Sequence, residues 1–328
     1  MFKSTKKFVY KGEFLEFNLE EQIKNHKNKR LTFFKILLKK ISRNFYRFFQ
    51  RILIKPSLRI KFASIEIKLI NFFSKKKYHV DSSNLKDIEY LNEHSSLEIP
   101  NLLSADKVND IKRYLENKKK LNIYEKSINK KMPMDYYSTE DLINNHEILN
   151  IINNEKLIKI VSGYFKCDFK LDWIWSWWSY ADTNNDSVGP QLFHRDYESF
   201  NFLKLFIYLT DVDGEDGSHQ IIKSSNNINS FYKISRFSDK EIYAKFNKDN
   251  CITIDGKAGK SFLANTFAIH RGLRPFNKDR LVLCYLLSTW PSRRSPKIPP
   301  IKFSEIQINK NVFLENKKIF NLFIDYNS

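Results

Sequence analysis

The sequence predicts an α+β protein with a mainly β core flanked by helices and a basic helical extension at the N-terminal end. Three observations carry this. Between about residues 165 and 290 the chain breaks into short runs of Phe, Leu, Ile, Val, Tyr and Trp separated by turn residues, as packed strands require. Between about residues 100 and 165, apolar residues recur at helical spacing behind polar caps. Charge divides the chain: residues 1–80 hold 21 Lys and Arg against 5 Glu, so they carry +16 of the net +19. The basic character belongs to that extension, and residues 81–328 form the second unit.

Within the extension, Leu31, Phe34, Leu38, Ile41, Phe45, Phe48 and Ile52 alternate in steps of three and four, which places them on one helical stripe. Lys35, Lys39, Arg43, Arg47 and Arg51 recur on the opposite side, and Pro56 ends the pattern. Three readings of this cationic amphipathic helix are open. It docks its Phe-rich stripe on the rest of the chain, it lies on an anionic membrane surface through residues 31–54, or it contacts nucleic acid. The lack of aromatic-plus-glycine RNA motifs counts against the last. In residues 60–73, Ile65, Ile67 and Leu69 alternate with Glu66 and Lys68 as a strand would, in a segment too short to decide.

From about Asp81 the character changes. Ser104 is a good N-cap for a helix running to about Asn117, with Asp106 complementing its positive end and Val108, Ile111, Tyr114 and Leu115 on its inner face. A second helical region spans about Thr139 to Tyr164. Leu171 to Tyr180 reads as a strand whose Trp173, Trp175, Trp177 and Trp178 suit core packing first and a substrate-pocket wall second. Phe202 to Leu209, Ser261 to Ile269 and Leu281 to Leu287 read as buried strands, and Pro291 to Pro300 as a proline- and charge-rich stretch.

Composition excludes several classes. Cys167, Cys251 and Cys284 are an odd number without paired spacing, so neither a disulfide framework nor a zinc site is indicated. Residues 1–11 lack the apolar core of a secretory signal, and no apolar run approaches the roughly 18 residues needed to span a bilayer. A cytoplasmic protein is expected, with peripheral attachment to a membrane as the second reading.

The chemistry is carried by four residues. His194 and Asp196 flank Arg195 between a turn signal, Ser187–Pro190, and a buried strand; His270 ends another apolar run; Arg280 opens a third. Two imidazoles and a carboxylate form the face that holds non-haem Fe(II) and leaves positions open for oxygen chemistry. An Arg ten residues past the second His can clamp the free carboxylate of 2-oxoglutarate as a bidentate pair. Lys204, on the strand after the first motif, is a second candidate for cofactor binding, with an exposed lysine as the alternative. A second His-x-Asp, His79-Val80-Asp81, has no buried strand after it and is set aside. Asp196 favours hydroxylation or desaturation over halogenation, which leaves the carboxylate position for halide. Two rivals stand beside an enzyme: a silent barrel acting as a binding module, and a membrane-associated protein whose basic helix carries the function.

Residues 90–290 resemble the phytanoyl-CoA dioxygenase family. Leu102-Leu103-Ser104 matches its helix start, Leu209-Thr210-Asp211 the end of the strand after His-x-Asp, and Gly214–Gly217 its glycine-containing stretch. Ser224-Ser225-Asn226 stands where a Gly-Ser-His-like turn is usual, so that His is missing; His219 lies nearby and is given no metal role. The resemblance implies a double-stranded β-helix (a jelly-roll or cupin-like barrel), His194, Asp196 and His270 as iron ligands, and Arg280 as the 2-oxoglutarate anchor. It further implies hydroxylation of a small-molecule or lipid-type substrate with O2, giving succinate and CO2.

Overall fold

Runs of Leu, Val, Ile and aromatic residues build two antiparallel sheets that enclose an apolar interior. The computed structural model describes residues 8–10, 13–15, 46, 48–50, 52–74, 81–121, 134–182, 186–214, 216–292, 295–296 and 298–327. Strands β1 (Phe8–Tyr10) and β2 (Glu13–Leu15) pair with each other. The predicted amphipathic helix over 31–52 lies largely outside the described residues; 46, 48–50 and 52 are helical. Pro56, expected to end a helix, sits at the first position of another, where its missing N–H costs nothing. This is α1 (Pro56–Ser74), so the alternation of Ile65, Ile67 and Leu69 does not mark a strand.

Helices α2 (Leu85–His94) and α3 (Ala105–Glu116) are separated by β3 (Ser96–Glu98). Ser104 caps α3 by accepting from Lys107 N–H, and Val108, Ile111 and Leu115 are buried, as the periodicity predicts. After β4 (Met134–Tyr136), the helical region from Thr139 divides into α4 (Thr139–Asn144), α5 (His146–Asn150) and α6 (Glu155–Phe165). The breaks fall at Asn145 and Asn154, whose side chains accept from the N–H groups that open α5 and α6.

The larger sheet contains β5 (Lys170–Ser179), β6 (Phe202–Tyr208), β9 (Ser261–Ala264) and β11 (Arg280–Ser288), in the order β3-β9-β6-β11-β5-β4. The smaller contains β7 (His219–Ile222), β8 (Cys251–Ile254) and β10 (His270–Gly272), in the order β10-β7-β8. Helix α7 (Asp239–Tyr243) lies between β7 and β8 in sequence; α8 (Lys310–Glu315), α9 (Lys317–Phe320) and the short pair β12 (Ile301–Lys302) and β13 (Ile324–Asp325) complete the chain.

Every residue of β11 is buried, as expected of a central strand covered on both faces. Alternation assigns the faces. Leu281, Leu283, Tyr285 and Leu287 pack with the helices, while Val282 and Cys284 join Phe206, Tyr208, Phe262 and Ile221 between the sheets. The run Ser261 to Ile269, read as one strand, is strand only to Ala264; the rest is a turn that leads into β10. Asn265 Oδ1 accepts from Phe267 N–H, an Asx turn that carries the chain from the larger sheet to the smaller. Isolated bridges, including His194 to His270, continue the smaller sheet, but among the described residues no closed hydrogen-bonded barrel forms. No helix among them is long and apolar enough to cross a membrane.

Candidate metal centre

His194 and His270 are 76 positions apart in the chain and opposite each other in space. His194 N–H donates to the His270 carbonyl at 2.9 Å, and His270 N–H returns the bond at 2.9 Å. This reciprocal antiparallel pair sets the two imidazoles side by side, with ring centroids 4.3 Å apart. Asp196 lies two residues on, where its N–H donates to Thr266 O at 2.9 Å. Alternation returns its side chain to the face that carries His194. One ligand atom from each of His194, Asp196 and His270 falls within 4.8 Å of the others.

The ring nitrogens are assigned by their neighbours. His194 Nδ1 lies 2.9 Å from Leu192 O and His270 Nδ1 lies 3.0 Å from Ala268 O. A carbonyl only accepts, so each Nδ1 carries a proton and each Nε2 is turned toward the centre. The Nε2 atoms are 3.7 and 3.3 Å from Asp196 carboxylate oxygens. Burial, reinforced by His270, holds the His194 imidazole well below its usual range and therefore neutral. Burial opposes ionisation of Asp196, but the Lys204 ammonium beside it outweighs this and keeps the carboxyl well below the usual carboxylate range. Two imidazoles and a carboxylate are a donor set that suits a ferrous ion.

Lys204 points inward, with its side chain 11% exposed, so the exposed reading does not hold. Its ammonium donates to Asp196 Oδ2 at 2.7 Å and lies 5.0 Å from the Trp175 ring centroid. Burial disfavours its charge, but Asp196 more than compensates and raises its pKa above the ordinary lysine value.

Arg280 opens β11 on the inner face, opposite Ser179, and Nη2 donates to Ser179 Oγ at 3.2 Å. Its Nε is buried and, among the described residues, unpartnered. A Cβ added at Gly272, two residues past His270, would lie 3.3 Å from Arg280 Nη2, so the glycine makes room for the guanidinium. A buried cation with an unused donor is costly on its own and suits an anionic ligand.

Sequence reasoning passed over three residues here. His219 is buried, its ring centroid 5.4 Å from that of His270 and 4.9 Å from that of Phe206, and its Nε2 has no partner among the described residues. Burial, then His270 and Arg280, lowers its pKa well below the usual value. Its place at the start of β7, opposite Gly272, was the available signal. Tyr208 binds this strand from between the sheets: its hydroxyl accepts from His219 N–H at 3.0 Å and donates to Ile254 O at 2.8 Å. Arg195, between the two ligands, is the third. Its guanidinium donates to the carbonyls of Phe231, Phe267, Ser225, Ile228 and Ser230.

No family model matches the sequence, and no curated protein matches it. Among solved structures, the epimerase SnoN in complex with Fe3+, alpha ketoglutarate and nogalamycin RO aligns with a TM-score of 0.50 at 14% identity, covering 63% of this chain and 84% of that one. The chain shares its fold with SnoN. Looser likenesses are to HygX from Streptomyces hygroscopicus with nickel and 2-oxoglutarate bound (TM-score 0.46, 16% identity, 64% of this chain and 87% of that one). EctD from S. alaskensis with 2-oxoglutarate and 5-hydroxyectoine is similar at a TM-score of 0.46 and 12% identity, covering 65% and 85%.

Proposed function

We propose that this chain is an Fe(II)- and 2-oxoglutarate-dependent dioxygenase that hydroxylates a C–H bond of a small-molecule or lipid-type substrate. The observation that carries this is the convergence of His194, Asp196 and His270, one ligand atom from each within 4.8 Å of the others. Those three side chains would hold the iron, and the facing sheets would be the double-stranded β-helix of such enzymes. Arg280 would pair with the distal carboxylate of 2-oxoglutarate, using the donor that is otherwise unused. When bound, iron and 2-oxoglutarate together supply O2 activation with release of succinate and CO2.

The chain's own residues prepare that chemistry. The carbonyls of Leu192 and Ala268 hold both imidazoles in the tautomer that donates through Nε2. Lys204 fixes one oxygen of Asp196 and so limits the carboxylate's rotation. Phe202, Phe267 and Leu286, with Trp173, Trp175 and Tyr197 packed against them, form an apolar cluster beside Lys204. Such a wall excludes water and favours an apolar or lipid-type substrate over a highly polar one. The order of motifs supports an activity of the phytanoyl-CoA dioxygenase type, and a cytoplasmic setting belongs to the same proposal.

The test is 2-oxoglutarate turnover with Fe(II) under air, against a panel of acyl-CoA, amino-acid and glycolipid compounds. Substrate-stimulated succinate is expected from the parent chain. Asp196→Ala is expected to lose both iron retention and succinate formation, and full activity in that variant would overturn the ligand assignment. Arg280→Ala is expected mainly to raise the 2-oxoglutarate requirement.

A further inference from the structure

Helix α1 is turned inside out. Its Arg59 and Glu66 are buried, whereas most of its large apolar side chains face solvent; Ile67 and Ile70, packed against the core, are the exceptions. Arg59 donates to the carbonyls of Gln50, Leu53 and Ser199, and its guanidinium lies 5.0 Å from the Phe267 ring centroid. Glu66 accepts from Tyr46 and Thr289 hydroxyls. These bonds fix which side of the helix meets the sheets. Leu58, Ile60, Phe62, Ile65, Leu69, Phe72 and Phe73 are left exposed, Phe72 and Phe73 at 75% and 77%. Of the 15 exposed large apolar residues described in the chain, nine lie between Phe48 and Phe73. An apolar surface gathered on one element marks an interaction site rather than ordinary scatter.

Charge decides the occupant. Lys55, Lys61 and Lys68 are exposed on the same segment, within a stretch of the sequence that carries +16. A second copy would bring like charges together, and the chain's own residues 1–55 are themselves basic. An anionic surface that also accepts phenylalanine side chains complements both features. We propose that the outer face of α1 docks on an anionic lipid bilayer, with Phe72, Phe73 and Leu69 entering the acyl boundary and Lys61 and Lys68 at the headgroups. The helix, 19 residues long, lies flat and does not span. Its inner face, through Arg59, rests on the loop that follows Asp196, so docking would bring the lipid surface close to the metal centre.

The experiment is co-sedimentation of the full chain with vesicles of phosphatidylcholine alone and of phosphatidylcholine mixed with phosphatidylserine, at low and high salt. Binding to the mixed vesicles, weakened by salt and absent from the neutral ones, is expected. Phe72→Ser with Phe73→Ser should weaken it at least about tenfold. Lys61→Glu with Lys68→Glu should weaken it more than about 25-fold, at about fivefold per lysine. All four side chains are exposed, so an unchanged unfolding midpoint serves as the control. Absence of binding overturns the proposal, as does equal binding to neutral vesicles. Binding that neither pair of substitutions alters would assign the attachment to residues before Pro56 instead. A dimer that the phenylalanine substitutions dissociate, without vesicle binding, would give the face to a second copy.

Discussion

Replacing Arg195 with methionine removes the guanidinium that ties residues 225–231 to the segment carrying His194 and Asp196, while keeping side-chain length. In the parent chain Nε donates to Phe231 O at 2.9 Å, Nη1 to Phe267 O at 2.6 Å, and Nη2 to Ser225 O and Ser230 O at 2.8 and 3.0 Å; Ile228 O at 3.3 Å is a weaker fifth. Bonds from a charged donor contribute about 1.5–3 kcal/mol each, so four would sum to roughly 6–12 kcal/mol. The cost of burying the guanidinium offsets part of this. Arg195 is 3% exposed, and burial pulls its pKa down to about 10. Breaking a buried charged network typically costs about 3–5 kcal/mol, the value expected here. At roughly 2–3 °C per kcal/mol for a large domain, the unfolding midpoint should fall by about 6–15 °C. Thermal unfolding of Arg195→Met by circular dichroism checks it. A midpoint within 2 °C of the parent would refute the assignment of Arg195 as the tie, whatever happened to activity.

Three further substitutions probe the site and its support. Gly272→Ala should displace the Arg280 guanidinium, since the new Cβ would lie 3.3 Å from Nη2; titration of initial rates should show a KM for 2-oxoglutarate raised about tenfold with little change in stability. Lys204→Ala frees one oxygen of Asp196 and should weaken iron binding by about 10–100-fold, as loss of a partner to a ligating carboxylate does; equilibrium dialysis reads it. Glu66 is buried, which raises its pKa from 4.5 to about 7 against the pull of its Thr289 and Tyr46 hydrogen bonds. The folded chain therefore binds the extra proton between about pH 4.5 and 7, and stability must fall across that window as pH rises. Glu66→Gln should remove this slope, worth up to about 3 kcal/mol, in denaturant unfolding measured at pH 5 and pH 8.

Much of the centre was legible in the sequence because its signals are local. A ligand pair at i and i+2 on a strand, a second His and an Arg each at the edge of an apolar run survive without knowledge of topology, and the structure gathers His194, Asp196 and His270 within 4.8 Å. Helix α3 was legible for the same reason: Ser104 and the Val108, Ile111, Leu115 spacing lie within a few turns. Helix α1 was not. Its fully buried positions are Pro56, Arg59 and Glu66, so most of the apolar pattern, Ile67 and Ile70 excepted, traces the solvent side. The end of the strand at Ala264 comes with an Asx turn in which Asn265 accepts from Phe267 N–H, which periodicity does not see. His219 and Arg195 gain their surroundings from residues distant in the chain, His219 from Phe262 and Arg280, and Arg195 from Phe231 and Phe267.

Both imidazoles are steered by the carbonyl two residues before them, Leu192 for His194 and Ala268 for His270. Each ligand thus brings its own aiming device in a tripeptide, instead of borrowing one from a remote carboxylate. Substitutions across the surrounding aromatic wall can then reshape what enters the cavity without re-aiming the nitrogens. A scaffold organised in this way can vary its walls over evolutionary time while the aim of the two imidazoles stays put.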